Sequence, residues 1–231
     1  MINTVFFDFG GTLFCEKRKV PEDETLMSGY APLREKGLQL TFEEFKEAFQ
    51  IPFRNRDAEL AKTGLEISLR EFSREIMPKL GLEPTDEIVD AHVWGRFRPH
   101  SVNNEMFDDV LPTLTKLKPE CKIGLISNAQ PHGILWWLDK SGIVKYFDEI
   151  VISGAVGLSK PNPRIFELAA ESICSEPGEC MMVGDDPWAD ARASQAVGMT
   201  GVLIDRAGRL KQAIADIKVA RDLRDILRWV G

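Results

Sequence analysis

The stretch Ile2-Asn-Thr-Val-Phe-Phe-Asp-Phe-Gly-Gly-Thr12 decides the fold of this chain. Residues 2–7 are mostly apolar and have the length of a strand, and Asp8 follows them directly. A near-continuous apolar run predicts a parallel strand covered on both faces of its sheet. Asp8 therefore falls at the carboxyl end of a buried parallel strand, the edge of an open sheet at which ligands bind.

Four further apolar segments of strand length occur later in the chain, and each is followed by Gly, Ser, Asn or Asp. They are Lys122–Ile126, Glu149–Ile152, Cys180–Val183 and Thr200–Ile204. Helical patterns separate them, and Pro163 and Pro187 each open a predicted helix, the second continuing through Val197. This alternation predicts a doubly wound α/β core with five parallel strands. The apolar residues after Arg209 predict terminal helical packing on the sheet.

The chain between the first two predicted strands is long, and residues 15–100 contain only helical patterns. The sequences Thr41-Phe-Glu-Glu44 and Ser68-Leu-Arg-Glu71 each fit a capping box at a helix start. We therefore predict a helical cap at residues 15–100, inserted into a core formed by residues 1–14 and 101–231. The segment Asn103–Lys118 is predicted to return to the core as a helix.

The composition excludes several classes of function. With 231 residues, 44% of them hydrophobic, the chain is long enough for one large domain or a domain with an insertion. The formal charge of −7 argues against nucleic acid and membrane surfaces as partners. The four cysteines form no CxxC pair and no metal-like spacing with the three histidines, which argues against a zinc site. Without a signal peptide or an apolar run of roughly 20 residues, a cytoplasmic protein is expected.

Polar side chains at the predicted strand ends form a pattern suited to phosphoryl transfer. Carboxylates such as Asp8 and Asp185 are oxygen ligands that Mg²⁺ prefers. The backbone N–H groups of Gly10, Gly11 and Thr12 are expected to be open to an anion, since glycine permits close approach. A carboxylate made less repulsive by the metal and by Lys160 is expected to attack phosphorus covalently.

In order and position, these elements resemble the four motifs of the haloacid dehalogenase superfamily, most of whose members are phosphatases with an aspartate nucleophile. The resemblance implies a Rossmann-like sheet with strand order 5-4-1-2-3, a helical cap of the C1 type and a Mg²⁺ cofactor. It implies that Asp8 is the nucleophile and a metal ligand, with the Gly10 carbonyl and Asp185 as the other protein ligands. The resemblance further implies that Thr12 and Ser127 contact the transferring group, that Asn128 lies beside it and that Lys160 neutralises its charge. It implies that Asp190 and Asp186 support the lysine or the metal-bound waters.

One position departs from the phosphatases of the superfamily. They usually carry an aspartate two residues after the nucleophile as general acid and base, and this chain has Gly10 there. Such proton transfer typically contributes about 10²–10⁴-fold in rate. The favoured function is hydrolysis of a small phosphorylated metabolite by a monomer or homodimer. Two alternatives stay open: a 2-haloacid dehalogenase using the same Asp8, and a regulatory module that binds phosphate and metal without turnover.

The sequence of the predicted cap does not indicate which substrate binds. Arg54, Arg56 and Lys62 are candidates for binding an acidic substrate, although solvated helix charges are the commoner case. His92 is expected to lie at the protein surface.

Overall fold

A computed structural model describes residues 1–210, 214 and 216–230 of the chain. The chain forms two compact units, one made of Met1–Cys15 and Glu105–Gly231 and the other of Glu16–Asn104. We call them the core unit and the helical unit. The sequence placed the two boundaries after residues 14 and 100, and the units of the structure divide after Cys15 and Asn104.

The core unit is built on a parallel sheet. The strands in chain order are β1 (Thr4–Phe7), β2 (Phe14–Glu16), β3 (Asn104–Met106), β4 (Lys122–Ser127), β5 (Glu149–Ile152), β6 (Cys180–Gly184), β7 (Thr200–Ile204) and β8 (Lys218–Ala220). Six of them form one sheet in the order β5-β4-β1-β6-β7-β8, while β2 pairs with β3. The five predicted strands are present as β1, β4, β5, β6 and β7. They lie side by side in the predicted order, and the doubly wound α/β class is confirmed.

Strand β1 lies at the centre of the sheet between β4 and β6, and both pairings are parallel. Val5, Phe6 and Phe7 are completely buried, as the continuous apolar run predicted. The N–H of Asp8 donates to the carbonyl of Val183 at 2.9 Å and so extends the ladder by one residue. Because the three strands are parallel, their carboxyl ends meet at one edge of the sheet, with Asp8 at its centre.

The helices of the chain, in order, are α1 (Glu22–Glu35), α2 (Phe42–Thr63), α3 (Leu69–Ile76), α4 (Asp86–Ser101), α5 (Val110–Leu117), α6 (Pro131–Lys140), α7 (Ser153–Val156), α8 (Pro163–Ser172) and α9 (Ala193–Ala196). Shorter 3₁₀ segments span Met77–Leu80, Val144–Tyr146, Pro177–Glu179 and Leu223–Trp229, and a π-helix spans Pro187–Arg192. Among the described residues, no helix combines the length and apolar character needed to cross a membrane.

The predicted helix opened by Pro187 is present, as a π-helix to Arg192 that continues into α9 and ends at the C-cap Val197. Two local predictions were wrong. The segment Asn103–Lys118 is not one helix, because β3 occupies its start and α5 begins only at Val110. The chain after Arg209 contributes the edge strand β8 and a 3₁₀ helix rather than helices packed on the sheet, and residues 211–213 and 215 lie outside the described part. A three-residue strand is too short for its period to show in the sequence.

The helical unit is built from α1 to α4, and both predicted capping boxes are present. The Thr41 hydroxyl accepts from the N–H of Glu44, whose carboxylate accepts from the N–H of Thr41, and Ser68 and Glu71 do the same. The interior is aromatic: the rings of Phe45 and Phe49 lie 5.5 Å apart. Such ring pairs add specific geometry to the burial of apolar area.

His92 lies inside this aromatic core and not at the surface, so that expectation was wrong. The Ser73 hydroxyl donates to the Leu69 carbonyl at 2.6 Å and lies 2.9 Å from His92 Nδ1. Because the single hydroxyl proton goes to Leu69, Nδ1 carries the imidazole proton, and Nε2 is a buried acceptor without a partner among the described residues. Burial, assisted by the charge of Arg96, lowers the pKa of His92 to about 3.

A buried neutral histidine makes the protein sensitive to acid. The unfolded chain takes up a proton on His92 below its ordinary pKa of 6.5, whereas the folded chain does not. The contribution of neutral His92 to the free energy of unfolding is therefore fully present above pH 6.5. As the pH falls from 6.5 towards the folded pKa, this contribution decreases by about 1.4 kcal/mol per pH unit. In urea unfolding at about pH 7 and about pH 5, the wild type should lose about 2 kcal/mol more than His92→Gln. Equal losses in the two proteins would contradict the assignment, since all other titrating groups are shared.

Candidate active site

Asp8 is held by a lysine that comes from a distant part of the chain. Lys160 Nζ donates to Asp8 Oδ1 at 2.7 Å, to Asp190 Oδ1 at 2.5 Å and to the Ile126 carbonyl at 3.0 Å. An ammonium group has three protons, so these three acceptors use all of them. Lys160 thus fixes two carboxylates before any ligand is present. Asp8 Oδ2 makes no hydrogen bond to a described residue.

Asn128 positions this lysine. Its side-chain oxygen accepts from the Lys160 N–H at 2.8 Å, and its side-chain nitrogen donates to the Lys160 carbonyl at 2.8 Å. The sequence placed Asn128 beside the transferring group, but its amide is already paired at both ends. Asn128 therefore connects the loop after β4 to the loop before α8. Ser127, its neighbour, is buried at the end of β4.

The acidic residues after β6 have different partners. Asp190 Oδ2 accepts from the N–H of Asp186, and Asp186 Oδ1 caps the π-helix by accepting from the N–H groups of Trp188 and Ala189. A Cβ at Gly184 would lie 2.1 Å from Asp190 Oδ2, so only glycine leaves room for this carboxylate. Asp186 is thus a helix cap, and Asp190 links the lysine to the backbone after β6.

Three carboxylates, those of Asp8, Asp185 and Asp190, offer oxygen atoms that lie within 4.8 Å of one another. They face one ammonium, that of Lys160, so the cluster has an excess of two negative charges. Burial raises the pKa of Asp8 to about 7, Lys160 opposes this rise, and the charge of Asp190 adds to it. Burial and the charge of Asp190 also raise the pKa of Asp185. The cluster is therefore short of positive charge.

A divalent cation fits this deficit. Mg²⁺ prefers oxygen ligands and commonly binds one or two carboxylates. Asp190 already has a partner on each oxygen, whereas the Gly10 carbonyl accepts no hydrogen bond from a described residue. Within the cluster, Asp8 and Asp185 are therefore the carboxylates that suit the ion. The Gly10 carbonyl, which the resemblance implies as a third ligand, stays a prediction.

The loop after β1 leaves several donors unused. Thr12 Oγ1 is buried without a hydrogen-bond partner among the described residues, and the N–H groups of Gly10 and Thr12 donate to none of them. The N–H of Gly11 was expected to face an anion, but it donates to the Phe14 carbonyl at 2.7 Å. Gly11 matters through its φ of +71° and because a Cβ there would lie 2.2 Å from Asp185 Oδ2. It leaves room for a carboxylate.

Arg206 supports this loop, and the sequence did not single it out. Its guanidinium donates to the Thr12 carbonyl at 2.6 Å and forms a two-pronged pair with Asp109 at 2.8 and 3.0 Å. Asp109 also accepts from the N–H of Leu223 at 2.7 Å. The loop after β1 is thereby connected to the C-terminal 3₁₀ helix. No local pattern could reveal a contact between residues 194 positions apart.

Comparisons with known proteins agree with this architecture. A glyceraldehyde 3-phosphate phosphatase of Methanopyrus kandleri is 28% identical over an alignment of 241 positions, which covers 99% of this chain and 98% of the relative. The structure of a phosphatase of this superfamily from Thermococcus onnurineus covers 100% of the chain with a TM-score of 0.63 at 24% identity. The structure of a 2-haloacid dehalogenase from Pseudomonas syringae matches 100% of this chain and 100% of its own, with a TM-score of 0.71 at 21% identity. Because both structures are less than 25% identical to this chain, their likeness shows the fold alone. The sequence model of the haloacid dehalogenase-like hydrolases matches residues 2–198, and the chain belongs to this family.

Proposed function

We propose that the protein is a Mg²⁺-dependent phosphatase that hydrolyses a small phosphorylated metabolite through an aspartyl-phosphate on Asp8. One observation carries the proposal: Lys160 holds one oxygen of the buried Asp8, while the other oxygen has no partner among the described residues. The unpartnered Thr12 hydroxyl in the loop that follows gives a phosphate oxygen a donor. The Methanopyrus relative, alike over almost its whole length, is a phosphatase by name.

The reaction has two steps on Asp8. In the first, Asp8 Oδ2 forms a bond to phosphorus, the bond from phosphorus to the substrate oxygen breaks, and the leaving alkoxide takes a proton from solvent. In the second, water attacks the same phosphorus and loses a proton, the Asp8–phosphorus bond breaks, and carboxylate and inorganic phosphate result. Lys160 keeps the nucleophile oriented throughout, and Thr12 and Ser127 donate to phosphate oxygens, a role that the unpaired Thr12 hydroxyl supports. A bound magnesium ion supplies positive charge that reduces the repulsion between carboxylate and phosphate.

Gly10 determines which substrates suit this site. Without an acid two residues after Asp8, the leaving group departs with a proton from solvent. Phosphates with a stable leaving group, such as aryl or acyl phosphates, then react faster than alkyl phosphates.

In the dehalogenase alternative, the Asp8 carboxylate attacks the carbon atom that bears the halogen, and the reaction needs no cation. The cluster of Asp8, Asp185 and Asp190 favours the phosphatase, because its excess negative charge suits a divalent cation, which the phosphatase reaction uses and the dehalogenase reaction does not need. Release of halide without Mg²⁺ would reverse this ranking.

The first test compares the wild type with Asp8→Asn on a panel of phosphate and 2-haloacid substrates, with Mg²⁺ and with chelator. We expect Mg²⁺-dependent phosphate release that disappears in Asp8→Asn, because an amide oxygen is a poor nucleophile. A folded wild type that binds Mg²⁺ but releases neither phosphate nor halide would instead identify a binding module.

The second test restores the missing acid. A Cβ at Gly10 meets no heavy atom within 4 Å, so the first side-chain atom of Gly10→Asp displaces no neighbour. We expect alkyl-phosphate turnover to rise by about 10²–10⁴-fold, because the new carboxyl can protonate the leaving group. Gly10→Asn is the control of equal shape without an acid. Equal rates in the two variants would show that the proton does not limit the reaction.

The third test concerns the cation. In Gly11→Ala the new methyl group meets Asp185 Oδ2, and the φ of +71° becomes strained. We expect the affinity for Mg²⁺ to fall by about 10- to 100-fold, measured as the rise in melting temperature with added Mg²⁺. Gly10→Ala, which has open space around its Cβ, is the matched control. An unchanged Mg²⁺ dependence in Gly11→Ala would contradict the role of Asp185.

A further inference from the structure

Thr12 depends on a distant side chain for its only hydrogen bond to a described residue. Its neighbours Gly11 and Leu13 each donate an N–H to a carbonyl within the same loop, at 2.7 and 2.9 Å. The N–H and the hydroxyl of Thr12 have no partner among the described residues, whereas its carbonyl accepts from Arg206 Nη2 at 2.6 Å. The position of Thr12 is therefore tied to Arg206, which lies just after strand β7.

Two glycines precede Thr12 and leave the backbone there without support from side chains. A Cβ added at Gly10 would meet no heavy atom within 4 Å, and Gly11 has a φ of +71°. Glycine loses more conformational freedom on folding than any other residue. A contact that fixes the chain beyond these glycines therefore has a strong effect on where Thr12 lies.

The guanidinium of Arg206 is itself held in one orientation. It donates two parallel hydrogen bonds to Asp109, at 2.8 and 3.0 Å, and its Cζ lies 3.7 Å from the ring centroid of Phe107. The side chain of Arg206 is 19% exposed and that of Asp109 is 4% exposed. A two-pronged pair fixes direction as well as distance, so the N–H that meets the Thr12 carbonyl has a set direction.

Asp109 is anchored in turn by the C-terminal 3₁₀ helix. Its Oδ2 also accepts from the N–H of Leu223 at 2.7 Å, and Leu223 and Ile226 are completely buried. Three N–H donors thus converge on the two oxygens of Asp109. A carboxylate accepts from all three, whereas an amide of the same shape would turn its own N–H groups towards some of these donors.

Stability alone does not account for this arrangement. Arg206 Nε is buried without a partner among the described residues, a cost that an apolar side chain would avoid. Replacing a buried ion pair by apolar side chains is often neutral or stabilising. What the arginine provides, and an apolar side chain does not, is a donor directed at the Thr12 carbonyl in the loop that follows Asp8.

We propose that Arg206 and Asp109 are positioning residues for phosphoryl transfer at Asp8. They touch neither the substrate nor the reacting atoms. They hold Thr12 where its N–H and hydroxyl donate to the transferring phosphate group. The inference rests on the proposed function and adds to it that these two residues act on the reaction through Thr12.

The first experiment compares kcat/KM for p-nitrophenyl phosphate with the affinity for Mg²⁺. In Arg206→Met and Asp109→Asn we expect kcat/KM to fall by about 10- to 100-fold, because a displaced group in a site commonly costs about that much. The affinity for Mg²⁺, measured as the rise in melting temperature with added Mg²⁺, should stay that of the wild type, since Lys160 and not Arg206 holds Asp8.

The matched controls are Arg209→Met and Asp108→Asn, which change exposed residues close to the same two positions and should behave as the wild type does. A wild-type kcat/KM in Arg206→Met would overturn the proposal. So would a loss of Mg²⁺ affinity as large as the loss of kcat/KM, because the whole site would then be disturbed.

A double-mutant cycle tests whether Arg206 acts through Thr12. Thr12→Val removes the hydroxyl and keeps the shape of the side chain. If Arg206 acts through Thr12, Arg206→Met should lower kcat/KM by a smaller factor in the Thr12→Val background than in the wild type. Equal factors in the two backgrounds would show independent effects and overturn the proposal.

A less severe variant covers the case in which Arg206→Met does not fold. Arg206→Lys keeps the charge and loses the two-pronged pair with Asp109. Its kcat/KM should lie below that of Arg209→Lys, and equal values would again overturn the proposal.

Binding of inorganic phosphate in the presence of Mg²⁺, measured calorimetrically, separates this inference from the proposed function. If the wild type binds phosphate but cleaves no phosphate ester, the proposed function is refuted, and the same cycle is measured on the dissociation constant for phosphate. A weaker affinity in Arg206→Met that depends on Thr12 then supports the positioning of Thr12, and an unchanged affinity overturns it. A wild type that neither cleaves esters nor binds phosphate overturns both.

Discussion

The ammonium of Lys160 between Asp8 and Asp190 is the interaction on which the site depends. All three groups are buried, and the lysine is surrounded by acceptors at 2.5–3.0 Å. Removing one partner of a buried ion pair commonly costs about 3–5 kcal/mol, because the other charge is left alone. The position of the Asp8 carboxylate is thus fixed by the same contacts that compensate the burial of its charge. Asn128 extends this control by holding the lysine backbone from both sides.

Two glycines are required because a side chain at either position would collide with a carboxylate of the site. Gly184 admits the carboxylate of Asp190, and Gly11 admits that of Asp185, at distances that any Cβ would prevent. Carboxylates are therefore concentrated at one edge of the sheet, with a surplus of negative charge. Gly10 differs from them, since the space around it is open and its lack of a side chain is a chemical feature and not a packing requirement. The resemblance to the phosphatases of the superfamily predicts an acid at this position, where this chain has Gly10.

The two units use arginine in different ways. In the core unit Arg206 donates to Asp109 and to the Thr12 carbonyl and supports the loop after Asp8, although its Nε is buried without a partner among the described residues. In the helical unit Arg56 and Arg96 pack against aromatic rings, and each has at least one buried N–H group without a partner among the described residues. The hydrogen bonds of Arg206 connect distant parts of the chain, whereas the two arginines of the helical unit contribute mainly to packing.

The sequence by itself determined what local patterns can encode. Apolar runs indicated the five main strands, and two capping boxes indicated helix starts at Thr41 and Ser68. The end of the first strand identified Asp8, and the segment before the Pro163 helix identified Lys160, as candidate site residues. These features depend on neighbours a few positions away, which is why they can be read along the chain. The edge strand β8 and the use of the Gly11 N–H were decided by tertiary structure. So were the burial of Arg56 and the contact between Arg206 and Thr12, because each joins groups that only folding brings together.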